Sequence, residues 1–262
     1  MVRYGQATTS DQGALMSRLY RITVLRCDFV PEPDRSRHGD AHERMIAHLE
    51  AAIELAAIDA EVDWFDVYGG DLPPLDDPSD LYVTTGSATN PDSSEQWVDS
   101  LRRWMRQAVE GGHPIYGVCF GHQLLAHALG GRTRRHPVGW EVGAVGMERL
   151  FALNASDGPK TTEDNATVRL LMSHQDEVCA LPENAKPWLQ GEFCEIQGFV
   201  LPKLAVTVQG HPEFAAEQVR DLYERRRTLM GDELTDQALH SLTLPHNGLQ
   251  LTVNVLKYLL EL

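Results

Sequence analysis

The chain has 262 residues, 42% of them hydrophobic, with 38 acidic against 23 basic side chains and a formal net charge of −15. That length suits one α/β domain with ample core, and the negative charge argues against binding to nucleic-acid phosphates or anionic lipid, which such a surface repels. No stretch approaches the ~18 uninterrupted apolar residues of a membrane helix, so neither a nucleic acid nor a membrane is an expected partner.

Residues 1–20 are polar and show no useful periodicity, which predicts a flexible N-terminal arm ahead of a single domain over residues 21–262. Arg21 to Cys27 reads as a first strand and His42 to Ile58 as a helix, through the spacing of Met45, Ile46, Leu49, Ile53 and Leu55. Strands follow at Val62 to Phe65 and Leu81 to Thr85, then a helix from Glu95 to Val109 and a strand from Ile115 to Val118. This alternation predicts an α/β fold with a doubly wound, mostly parallel sheet, helices on its flanks and ligands at the strand C-termini. Shorter strand-like segments around Val142 to Leu153, Val168 to Met172, Trp188 to Cys194 and Ile196 to Val200 suggest a small antiparallel extension, with a loop from Asn154 to Ala166. Leu204 to Val208 is a further strand. A helical tail over about residues 215–262 is read from Glu217 to Leu229, Glu233 to Leu239 and Leu249 to Leu260, with Leu222, Leu229, Leu251, Val255 and Leu259 covering the sheet.

The segment Gly117-Val118-Cys119-Phe120-Gly121 joins an apolar strand to a helix. Glycines on either side of the thiol relieve crowding at a sharp strand-to-helix turn, and the helix N-terminus favours a thiolate. Alone, Cys119 also reads as a small buried hydrophobe. Downstream, Leu204 to Gly210 leads into His211, with Glu213 two residues on. A cysteine hydrolase needs a histidine base and a group to orient it, and this pair supplies both.

Cys119-Phe120-Gly121-His122-Gln123 together with Gly210-His211-Pro212-Glu213 resembles the class I glutamine amidotransferase family, in the branch similar to the amidase domain of GMP synthase, over about residues 21 to 215. The resemblance implies a flavodoxin-like sheet. It also implies that Cys119 attacks the side-chain amide of glutamine, forming a γ-glutamyl thioester and releasing ammonia, with His211 as base and Glu213 as its orienter. The family places a glycine-rich loop after the third strand; here it is Gly86-Ser87-Ala88, so the backbone N–H of Gly86 or Ser87 joins that of Phe120 as candidate oxyanion donors. Gln123, one turn into the elbow helix, matches the family's Cys-x-Gly-x-Gln pattern and is expected to contact the glutamyl group. Ser173-His174-Gln175-Asp176 resembles the family's Ser-His-x-Asp segment, whose carboxylate suits an α-ammonium. His174 is a second candidate base, ranked below His211 because no carboxylate stands in an orienting position. Trp140 resembles a residue at the pocket edge, although a packed aromatic explains it nearly as well. The side chains of Phe120 and His122 are expected to shape the pocket.

Neither a cofactor nor a metal is expected: the other histidines show no ligand spacing, and the four cysteines, Cys27, Cys119, Cys179 and Cys194, form neither zinc-type pairs nor a disulfide framework. Their sparsity favours a reducing compartment, and with no signal-peptide core at the N-terminus the expectation is a cytoplasmic protein. Three functions follow. The chain is a glutaminase that passes ammonia to a separate synthetase, or a free-standing hydrolase of γ-glutamyl peptides or amines, or a binding module that has lost turnover. The expected partner is glutamine or another γ-glutamyl small molecule, and the sequence leaves a homo-oligomer open.

Overall fold

The computed structural model describes residues 18–153 and 167–262. Most of the expected arm, residues 1–17, and the expected loop at 154–166 lie outside the described residues. The first half of the chain runs β1 (Tyr20–Leu25), α1 (Asp34–His38), α2 (Ala41–Ala56), β2 (Ala60–Phe65), β3 (Leu81–Thr84), α3 (Gln96–Glu110), β4 (Ile115–Val118) and α4 (Phe120–Ala128). The second half adds the strands β5 (Arg132–Arg135), β6 (Glu141–Arg149), β7 (Thr167–His174), β8 (Asp176–Ala180), β9 (Lys186–Gln190), β10 (Gly198–Leu201) and β11 (Ala205–Val208). Helices α5 (Ala216–Met230), α6 (Asp232–Ser241) and α7 (Gly248–Leu259) complete it.

Nine strands form one sheet in the order β2-β1-β3-β4-β11-β10-β9-β6-β7. The first five are parallel and the remainder antiparallel. The parallel part has the 2-1-3-4-5 order of flavodoxin-like sheets, whose ligands sit beyond the strand C-termini.

Alternation along the strands sends side chains to opposite faces, and each face has its own helices. Ile22, Val24, Val83, Val118 and Val206 pack with Met45 and Leu49 of α2 and with Leu251, Val255 and Leu259 of α7. Tyr82, Ile115 and Ala205 face the other way, onto Leu101, Trp104 and Met105 of α3 and Leu124 and Leu125 of α4. A third cluster joins Leu171 of β7 to Val219 and Tyr223 of α5 and Ala238 of α6. The Tyr223 hydroxyl accepts from the Gly143 N–H at 2.7 Å and donates to the Met172 carbonyl, fixing α5 to the edge strand β7 and its neighbour β6. Helix α2 starts at a capping box in which Asp40 and Glu43 satisfy each other's backbone N–H groups.

Three departures from the sequence reading have physical causes. Strands β5 and β8 pair with each other in a separate sheet and were not anticipated. The β5 sequence, Arg132-Thr133-Arg134-Arg135, has no apolar alternation; its partners are carboxylates across the ladder, Arg134 with Glu177 at 2.7 Å and Arg135 with Asp176 at 3.0 Å. The strand expected from Trp188 to Cys194 stops at Gln190, where the Gly191 N–H turns back to the Cys194 carbonyl at 3.1 Å. Leu229 does not cover the sheet: it is 71% exposed, on the rim of a cavity. Among the described residues no helix is long and apolar enough to cross a membrane.

Candidate active site

Cys119 follows β4 and caps α4 with φ 49° and ψ −100°, a conformation that costs a non-glycine residue about 1–3 kcal/mol. Its neighbours show why both glycines are required. A Cβ at Gly121 would overlap the Thr84 hydroxyl, which accepts the Val118 N–H at 3.0 Å; one at Gly117 would lie 3.0 Å from the Gly121 carbonyl oxygen. The strained thiol is further held by its own N–H, which donates to Val208 of the adjacent strand at 2.8 Å. Phe120 opens the helix, where backbone N–H groups have no partner within it.

His211 follows β11, the strand beside β4, and its N–H donates to the Leu171 carbonyl at 2.9 Å. Its Nδ1 lies 2.8 Å from Glu213 Oε1, its ring stacks on Phe214 at 3.7 Å, and its side chain reaches Cys119. Burial opposes a charged ring here, but Cys119 and Glu213 outweigh it and raise the His211 pKa from 6.5 to about 10. Burial likewise opposes the Glu213 carboxylate, and the facing His211 more than offsets it, holding the group below the usual range. On the other side of the ring stands Gly86: a Cβ there would lie 2.5 Å from His211 Cε1, so the Gly86-Ser87-Ala88 loop can approach the imidazole only by having no side chain at its first position.

Cys119 opens into a cavity of about 90 Å³, lined also by Ser87, Gln123, Trp140, His174 and Asp176. The fold thus gathers these sequence-selected side chains from separate segments of the chain. Their hydrogen bonds are more specific than the sequence suggested. Gln123 Nε2 donates to the Asp176 carbonyl at 2.7 Å and to Gln209 Oε1 at 3.0 Å, and Gln209 in turn donates to Cys119 Sγ at 3.7 Å. Asp176 pairs with Arg135, and burial raises its pKa against that pairing. The Arg226 guanidinium, from α5, donates to Ser173 Oγ at 2.7 Å and lies 5.3 Å from the centre of the Trp140 ring. Gln209 and Arg226 escaped the sequence reading. Gln209 is two residues before His211 and was legible as part of that strand end; Arg226 had no local signal.

Two expectations need correction. His174 does have a carboxylate partner: its Nε2 lies 2.7 Å from Glu141 Oε2 and its Nδ1 3.0 Å from the Asp176 carbonyl. Glu141 is 33 residues upstream and meets His174 only through the β6–β7 pairing. Glu141, His174 and Cys194 place one ligand atom each within 4.8 Å of one another, but Glu141 already accepts from Gln197 at 3.0 and 2.8 Å. The side chains of Phe120 and His122 do not line the cavity. Phe120 packs 5.4 Å from Trp97, and His122 bonds Thr207 at 2.8 Å; burial, then His174, lowers its pKa to about 3, so it is neutral.

The glutamine amidotransferase class-I family model matches residues 40–227. The protein of Saccharomyces cerevisiae named "putative glutamine amidotransferase YLR126C" is 30% identical over 80% of this chain and 84% of its own. Gamma-glutamyl peptidase 4 of Arabidopsis thaliana is 28% identical, over 62% of this chain and 66% of its own. A subunit of the glutamine-hydrolysing GMP synthase of Halobacterium salinarum is 29% identical over 57% of this chain and 75% of its own. The crystal structure of a glutamine amidotransferase from Methylobacillus flagellatus superimposes with a TM-score of 0.68 at 20% identity, covering 93% of this chain and 95% of that one, which speaks for the fold alone. With the family model spanning more than half of the sequence, the chain belongs to the class-I glutamine amidotransferase family.

Proposed function

We propose that this protein hydrolyses γ-glutamyl amides through a thioester on Cys119. The observation that carries the reading is the strained elbow thiol beside a buried imidazole whose Nδ1 is taken by Glu213. With Nδ1 so held, Nε2 remains for the thiol. His211 takes the Cys119 proton, and the sulfur adds to the γ-carbonyl carbon. The developing oxyanion is met by the N–H of Phe120 and by that of Gly86 or Ser87. As the C–N bond breaks, His211 returns its proton to the departing amine. Water, deprotonated by the same ring, then adds to the thioester and releases the γ-carboxylate with the thiol reformed. Substrate and water balance the reaction.

The acyl group occupies the chamber beside Cys119. Asp176 faces the α-ammonium, Trp140 and His174 form the walls, and Gln123 sets the position of Gln209 against the sulfur. The amine lost is ammonia when glutamine is the substrate. A second reading, favoured by the similarity to a GMP synthase component, passes that ammonia to a separate synthetase. The four cysteines, none in a disulfide, suit a reducing compartment, and we place the protein in the cytoplasm. The test is amine release from glutamine and γ-glutamyl peptides, with mass spectrometry of the chain after treatment with a glutamine-like chloroketone. A single adduct on Cys119 and loss of turnover are expected. Turnover that survives complete labelling would remove the proposal.

A further inference from the structure

A second and larger cavity, about 440 Å³, opens on the far side of the Gly86 loop and His211. It shares Ser87, Ala88, Ser173 and Arg226 with the Cys119 chamber, so the two adjoin along these residues. Nothing in the release of ammonia requires such a space, since a molecule of water's size takes up about 30 Å³.

Its walls carry two kinds of group. Phe29, Phe214, Leu222 and Leu229 make one side apolar, and Phe29 and Leu229 keep 46% and 71% of their surface exposed. The charges on the other side pair incompletely. Arg225 is taken by Asp34, His38 by Asp221 at 2.8 Å, and Glu213 by His211. Asp28 then faces both Arg44 and Arg226; Glu213, Asp40 and Glu43 also stand near Arg44, whereas Arg226 has the like charge of Arg225 beside it. Arg44 donates to the Gly39 carbonyl and Arg226 to the Ser173 hydroxyl, both neutral acceptors, and Arg44 Nε is buried with no hydrogen-bond partner among the described residues. Burial destabilises both guanidinium charges, and at Arg226 the neighbouring Arg225 adds to it, so Arg226 gains most from an incoming anion.

Resting on the amidase reading above, we propose that this cavity is the leaving-group subsite, and that it takes an amino acid or short peptide with an apolar or aromatic first residue and a free carboxylate. The direction of the chemistry places it there. His211 must deliver a proton to the nitrogen that departs, so the amine lies on the His211 side of the reacting carbon, where this cavity lies. The C–N bond of a γ-glutamyl peptide breaks, the C–S bond to Cys119 forms, and the freed α-amine takes the proton from His211. Its side chain rests among Phe29, Phe214 and Leu222, and its carboxylate lies toward Arg44 and Arg226. Helix α5, pinned by Tyr223, supplies Leu222, Arg226 and Leu229 from one face.

The experiment compares kcat/KM of the full chain for glutamine, γ-glutamyl-phenylalanine and γ-glutamyl-phenylalaninamide. The dipeptide should exceed glutamine by about tenfold or more, and the amide cap should cost about tenfold. Leu222→Glu should lower the dipeptide-to-glutamine ratio by about tenfold. Leu229→Glu, at an exposed position that cannot unfold the core, should lower it in the same direction, and Arg44→Gln should erase the preference for the free carboxylate. A glutamine preference, with a ratio unmoved by both leucine substitutions while Cys119→Ala is inactive, overturns the subsite and leaves the amidase reading standing. Hydrolysis of all three substrates by Cys119→Ala overturns both together.

Discussion

Among the described residues two cysteine–histidine–glutamate groups stand out, and comparing them shows what residue type alone does not decide. In one, Cys119 sits at a left-handed turn before a helix, and His211 commits only Nδ1 to Glu213. In the other, Cys194 is buried in a turn, and burial, then the nearby Glu141 and Glu177, push its thiol up, against ionisation. His174 there has both ring nitrogens occupied, and Glu141 is saturated by Gln197. On the reading proposed above, an imidazole nitrogen left for the thiol, a helix N-terminus and an adjoining cavity separate the reactive set from the structural one.

Substitutions should break this comparison most clearly at the thiols. Cys119→Ala is expected to lower kcat on glutamine by about 10⁴-fold or more, and Cys194→Ala by less than about threefold, measured as ammonia release. Equal losses would mean that the two groups had been assigned wrongly. At the histidines the effect should divide between activity and stability. His211→Ala should cost about 10³-fold in kcat with a small change in Tm. His174→Ala leaves the buried Glu141 with Gln197 as its remaining partner, and should cost about 3 kcal/mol in denaturant unfolding with a far smaller loss of kcat.

Next comes Gly86→Ala. The added methyl would press on His211 Cε1, and a displacement of that order should lower kcat about 10²-fold while KM for glutamine moves little. A variant of wild-type activity would show that the loop stands off from the ring in solution. The smallest effect is on the pH dependence of stability. His211 has a raised pKa, so its contribution is complete below about pH 6.5 and lost as pH rises through about 10. Glu213 has a lowered one, so its contribution is present above about pH 4.5 and lost as pH falls through the depressed value. Glu213→Gln should therefore move the alkaline fall in Tm to lower pH. An alkaline limb that stays in place would put the charge of His211 under some other control.

The elbow was legible because all its constraints are local: two glycines, a thiol and the switch from strand to helix lie side by side in the chain. His211 and Glu213 were legible for the same reason, being two residues apart at a strand end. The parallel half of the sheet follows from apolar alternation and helix spacing. Features held by distant partners were not legible. Glu141 meets His174 across a ladder, Arg226 reaches Ser173 from a helix that reads only as amphipathic, and β5 is a strand whose sequence is nearly all cation until Asp176 and Glu177 are set opposite it. Leu229 was misread because a leucine at helical spacing does not reveal whether its neighbour is a sheet or an opening.

The ladder between β4 and β11 pairs Gly117 with Thr207 and Val118 with Val208, and Cys119 and His211 follow soon after it. Thiol and imidazole are therefore spaced by a backbone register, a ruler of about 4.8 Å between strands that no surface loop can stretch. The segments that shape the two cavities, by contrast, are strand ends, their loops and side chains from helices α1, α2, α4 and α5. Mutation can redraw the walls while the distance that matters to the reaction is kept by main-chain hydrogen bonds. On the amidase reading proposed above, this division of labour would let substitutions in the walls change the amine while the spacing of the bond-cutting groups stays fixed.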